Sequence, residues 1–258
     1  MTEPGRVGLA RASVLPRGLR GWRWWQLMSF GAGCAAVAAA VTSPLDSLGQ
    51  SDVLTAHVAQ HIILGDLAAP LLVLGLPTGA RHGLRERLGR MSGDARRRAR
   101  LLTWVLSPVG ALLLWALAAY AWYVPALHRA AVPGGPVHVL DHISFVGFGL
   151  LLALAMFDPR EPRSLRRGVR DGGLPWWARH VYSMCSRVAM LPPAMVVWFA
   201  AGYHVAGQRP GRSTPEVDQA NAASLMIAFE MILFAVAFIL AFVFLAIADG
   251  RARAAAAE

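Results

Sequence analysis

Six apolar runs divide this chain, and each is about as long as a helix must be to cross the hydrocarbon core of a bilayer, roughly 20 residues. They lie at 22–41, 53–76, 101–122, 137–157, 181–203 and 220–248. Pro77, Val124-Pro125 and Asp158-Pro159 mark the ends of the second, third and fourth. Lipid offers an unpaired peptide group no hydrogen bond, so runs of this length and continuity must bond within themselves, as helices do. The sequence therefore predicts an all-α, polytopic membrane helix bundle of about six transmembrane helices. A tail occupies 1–21, a single transmembrane helical domain 22–249 and a second tail 250–258. Pro192-Pro193, near the middle of the fifth run, predicts a kink there. Trp22, Trp24 and Trp25 open the first run with side chains suited to the headgroup boundary. Ala38-Ala39-Ala40 near its end would also suit a cleaved signal peptide; an uncleaved helix is the favoured reading of the two.

Charge placement gives the orientation. The chain is 56% hydrophobic, carries a formal net charge of +10, and all 25 of its basic residues are arginine. Arg6, Arg11, Arg17, Arg20 and Arg23 precede or open the first run. Eight arginines, from Arg81 to Arg100, separate runs two and three, and six, from Arg160 to Arg179, separate runs four and five. The alternate connections are nearly free of them: none in 42–52, Arg129 in the third-to-fourth, Arg209 and Arg212 in the fifth-to-sixth. By the positive-inside rule, both termini are expected in the cytoplasm, with anionic lipid headgroups beside the arginines. No segment is long enough to fold a basic face of its own, which excludes a nucleic-acid-binding domain. Cys34 and Cys185 lie in separate apolar runs without CxxC spacing, and are expected to be buried apolar residues rather than thiolate ligands.

That orientation sends the beginnings of runs two and four, and the junction of runs five and six, to the extracytoplasmic side. His57-Val-Ala-Gln-His61 lies near the start of run two, and His138-Val-Leu-Asp-His142 near the start of run four. Histidines four residues apart on a helix are within about 40° of each other and about 6 Å apart along the axis, so each pair can aim at one centre. Asp141 is placed to orient a histidine or to ligate directly. His204 closes run five, and Asp218 and Gln219 open run six on the same side; Gln219, Met226 and Glu230 share one stripe of that helix. Imidazole suits copper, zinc, iron or nickel, and reduced copper also accepts thioether. The candidate metal ligands are therefore His57, His61, His138, His142, Asp141, His204, Asp218, Gln219 and Met226. His82 and His180 fall at the cytoplasmic side and His128 in an outer loop, where solvated or interfacial roles are expected. Asp66 stands deep in run two, rotated by roughly 140° from His61 on an ideal α-helix. Either Arg187 pairs with it or it lines a polar path.

His57-x-x-Gln60-His61, followed by Pro70-Leu71-Leu72-x-x-Gly75-x-Pro77, resembles the CtaG family of bacterial caa3-type cytochrome c oxidase assembly factors. Tyr123-Val124-Pro125, His138-x-x-x-His142-x-x-Phe145 and Asp218-Gln219 followed by Met226 continue the resemblance in the same order, over roughly residues 50–235. Asp141 inside the second pair and Ala223 after Asp-Gln depart from the family's pattern. The resemblance implies a multi-pass protein of the bacterial cytoplasmic membrane that helps to mature a haem–copper oxidase. It further implies copper handling on the outer side, with oxidase subunits or other copper chaperones as partners and no turnover of its own. The residues alone also admit a two-metal membrane enzyme, a haem protein or a copper transporter.

Overall fold

The computed structural model describes residues 22–255 except 82, 84–95, 133, 159, 161–163, 172 and 204–213. It is helical throughout, with no strand among the described residues. Run one is α1 (Trp24–Thr42), followed by a short α2 (Pro44–Gln50). Run two is continuous from Leu54 to Gly75 but changes pitch on the way. It consists of α3 (Leu54–His61), a π-helical stretch (Ile62–Ala68) and α4 (Ala69–Gly75).

Run three is divided rather than a single helix. α5 (Arg96–Val105) stops before Ser107, whose hydroxyl accepts from the Gly110 amide at 3.0 Å and caps α6 (Pro108–Trp122). Pro108, in the first turn, has no amide to continue an incoming helix. At the other end Pro125 opens α7 (Pro125–Ala131), bent by 81° from α6. Run four is one helix, α8 (Pro136–Met156), and a short α9 (Leu165–Asp171) follows. Run five breaks close to the expected kink: α10 (Trp176–Val188) and α11 (Leu191–Phe199) meet at Ala189-Met190, just before Pro192-Pro193. Run six is α12 (Pro215–Ala255), longer than its apolar stretch at both ends. Among the described residues, four helices are long and apolar enough to cross a membrane on their own, five if the bent α6–α7 pair is one span.

Small residues let these helices approach closely, as bundles without a hydrophobic drive between their helices require. A Cβ added to Gly149 of α8 would stand 2.7 Å from the Gly65 carbonyl oxygen in the π stretch. On α1, Gln26 donates to the Leu76 carbonyl at 3.2 Å and Ser29 to that of Leu71 at 2.8 Å, fixing α1 against α4. At the arginine-rich end Arg81 donates to the Phe157 carbonyl at 2.8 Å, and Arg160 pairs with Asp158 at 2.6 Å. The outward faces are apolar: Phe238, Ile239, Phe242 and Leu245 of α12 are all exposed, as side chains facing lipid would be. Cys34 and Cys185 are on the exterior too, not buried as expected, and both are free thiols. In a membrane bundle the apolar exterior accepts small apolar residues as readily as the core does.

Candidate metal centre

The cluster is built on α3 and α8, which bring their histidine pairs face to face. Within α3 the His57 and His61 ring centroids are 4.5 Å apart; within α8 those of His138 and His142 are 4.1 Å apart. Across the interface His57 lies 5.4 Å from His138 and 5.7 Å from His142, and His61 lies 5.7 Å from His142. Asp141 stands between the pairs. One of its carboxylate oxygens lies 2.9 Å from Nε2 of both His57 and His61, so each ring donates a hydrogen there. The Tyr123 hydroxyl reaches Nδ1 of His61 at 3.3 Å, and Phe145 stacks flat on the same ring at 3.9 Å. His61 is thus held on three sides.

Four ligand atoms, one each from His57, His61, Asp141 and His142, lie within 4.8 Å of one another. All four residues are buried. A second group, Asp46, His138 and His142, meets the same distance condition and shares His142 with the first. Buried polar atoms normally find partners. Here His57 Nδ1, His138 Nδ1, Asp141 Oδ1 and His142 Nε2 are buried without a hydrogen-bond partner among the described residues. Each can offer a lone pair, which is the donor capacity a metal ion uses. The donor set of imidazoles and one carboxylate suits copper, zinc or iron.

Asp46 and Tyr123 are additions that the sequence reading did not make. Asp46 comes from α2, and its carboxylate lies 3.3 Å from His138 Nε2. It also accepts from Gln60 at 3.0 Å and from Gln50 at 2.7 Å. Its partial burial works to raise the carboxyl's pKa, but the hydrogen bonds from Gln60, His138 and Gln50 prevail and hold it below its ordinary value. Tyr123 also anchors the neighbouring loop, its carbonyl accepting from the Tyr203 hydroxyl.

The remaining expected residues are placed differently. Asp218 is buried, but its carboxylate caps the start of α3, accepting from the Leu54 amide at 2.6 Å and the Thr55 hydroxyl at 2.7 Å. Gln219 donates to the Ala200 carbonyl at 2.8 Å, closing the end of α11. Met226 is buried in the apolar core. His204 and His82 lie outside the described residues. His128 is not in a solvated outer loop: it is buried, its ring 4.9 Å from that of His57 and 5.5 Å from that of Tyr203. The bend at Pro125 folds α7 back against α8 and carries His128 inward. His180 is half-buried, stacked on Phe244.

Further along the bundle a second polar group is closed on itself. The π stretch, with its wider i to i+5 turn, takes up part of the rotation that an ideal helix would put between His61 and Asp66. Asp66 faces inward and is ion-paired with Arg187, which also bonds Glu230 at 3.1 Å. Beyond them, a cavity of about 510 Å³ is lined by Asp66, Arg187, Ser183, His180, Arg179 and Trp176 among others.

Neither a curated protein nor a solved structure matches this chain. Residues 7–246, nearly the whole length, match the family described as cytochrome c oxidase caa3 assembly factor, Caa3_CtaG. The chain belongs to the Caa3_CtaG family of cytochrome c oxidase caa3 assembly factors, as its histidine pairs and their flanking motifs anticipated.

Proposed function

We propose that this assembly factor binds copper at the histidine cluster and holds or delivers it, as cargo, to a haem–copper oxidase on the extracytoplasmic side of the bacterial cytoplasmic membrane. The observation that carries the reading is the set of unspent lone pairs on His57, His138, His142 and Asp141, gathered in one buried place. Helix packing alone would not leave four polar atoms unpaired, because each costs about 1–3 kcal/mol when buried without a partner. The working ligands in this reading are His57, His61, Asp141 and His142. Asp218 then serves the site by fixing the start of α3, and Gln219 by fixing α11. When a metal takes Nε2 of His61, the ring hydrogen sits on Nδ1 and points to the Tyr123 oxygen, so the neutral ring stays bonded on both sides.

Delivery rather than transport fits the remaining charges. A cation crossing the whole bundle would have to pass Arg187 and then Arg179, both lining the cavity beyond the cluster. The partners in this reading are oxidase subunits or other copper chaperones, with lipid around the bundle. No turnover is required of a protein in this role. The test is copper stoichiometry in detergent-purified protein. Wild type is expected to hold copper that His61→Ala and His142→Ala lose; unchanged stoichiometry in both variants overturns the assignment.

A further inference from the structure

Resting on that reading, we infer that Asp46, His138 and His142 form an outer metal station, and that His142 passes the ion between it and the buried site. Three observations meet here. The ligand atoms of Asp46, His138 and His142 lie within 4.8 Å of one another, and those of the inner group satisfy the same condition with His142 in common. The two groups also differ in access. The Asp46 side chain is 23% exposed and that of His138 6%, whereas His57 is fully enclosed. Finally, His138 Nδ1 and His142 Nε2 are buried without hydrogen-bond partners, so the outer group has spare donor capacity independent of its hydrogen bonds.

A chaperone site sealed at every face would exchange its ion slowly, since all its ligand bonds would break before a new one formed. A shared ligand removes that barrier. With His142 bound throughout, bonds from the ion to Asp46 and His138 break as bonds to His57 and His61 form. The ion keeps its oxidation state, and the same steps in reverse carry it out. Asp46 is well suited to the first capture. Its carboxylate is held by Gln50 and Gln60, and it gives the outer group a charged oxygen ligand as Asp141 does the inner one. The outer position supplies one carboxylate and two imidazoles, a set that cuprous and cupric ions both accept.

The experiment measures rates and affinity separately. Purified protein is loaded anaerobically with cuprous ion, and release to a chromophoric bathocuproine chelator is followed by stopped flow, as is uptake. Asp46→Asn keeps the shape and the acceptor for Gln60 but loses the charge. It is expected to slow uptake and release alike, on the order of tenfold, with the equilibrium affinity of the inner site nearly unchanged and the rates recovered in Asp46→Glu. Unchanged rates in Asp46→Asn overturn the outer station while leaving the copper-binding reading intact. Faster release with weakened affinity also overturns it, because Asp46 would then act as an ordinary ligand or support of the inner site. Wild-type protein that binds no cuprous ion overturns the parent reading and this one with it. His138→Ala gives an independent check, with the same pattern expected.

Discussion

Two buried polar groups lie along the same bundle, and they differ in what they leave unpaired. In the Asp66–Arg187–Glu230 group the guanidinium is pinned between two carboxylates, as a structural tie would be. In the histidine cluster one carboxylate serves two rings, and four buried polar atoms of the cluster remain unpaired. The first group ties its carboxylates to a cation; the second keeps donor atoms spare, which is what the proposed copper site would use. Charge buried in a bundle is costly in both cases, so the contrast separates a strut from a binding site better than burial does.

Breaking the strut should give the largest effect on folding. Arg187→Ala leaves two carboxylates facing each other without their cation, and a loss of about 3–5 kcal/mol is expected, read as lowered thermal stability in detergent. The combined Arg187→Met, Asp66→Asn and Glu230→Gln variant should recover most of it, because no unpaired charge remains. Breaking the binding site should behave the opposite way. His142→Ala is expected to alter metal-free stability little, since its Nε2 bonds nothing in the protein. Wild type should gain about 2.7 kcal/mol from copper at a free concentration 100-fold above its Kd, and His142→Ala should gain none. A metal-free collapse of His142→Ala to the level of Arg187→Ala would make the cluster a strut as well.

Smaller effects sharpen the boundary between ligand and support. Asp218→Ala removes the cap on α3 and should cost about 1–2 kcal/mol while leaving copper stoichiometry unchanged. A lost copper ion would return Asp218 to the ligand set. The smallest effect belongs to Asp46. Its carboxyl is held below its ordinary value of 3.8, so the stability it contributes is present above that pH and is lost as the pH falls through the lowered value. Melting temperatures of wild type and Asp46→Asn should therefore differ at pH 6 and converge as the pH falls through that lowered value. A constant gap across that range would assign the difference to packing.

Much of this contrast was legible in the sequence, though unevenly. The histidine pairs could be placed on one layer because helical spacing and arginine placement are both properties of short stretches. Ser107-Pro108 carries a readable signal, a capping hydroxyl before a first-turn proline, which the reading of 101–122 as one run passed over. Three features were out of reach. Nothing local announces the π stretch, where Gly65 packs closely against Gly149 and which changes where Asp66 faces. His128 reads as a loop residue until the bend at Pro125 is known. Asp46 joins His138 only through the tertiary placement of α2, across 92 residues of chain. Asp218 meets the start of α3, the helix that carries His57 and His61, but an acid beside a helix start serves as well for capping as for ligation.

The most direct test of the central claim is the X-ray absorption spectrum of the copper-loaded, detergent-purified protein at the copper edge. Nitrogen and oxygen neighbours with the multiple-scattering signature of imidazole, diminished in a His57→Ala/His61→Ala variant, are what the cluster geometry leads us to expect. A sulfur-dominated environment would move the ion to methionine and away from α3 and α8. A spectrum that the double variant leaves unchanged would contradict the histidine site outright.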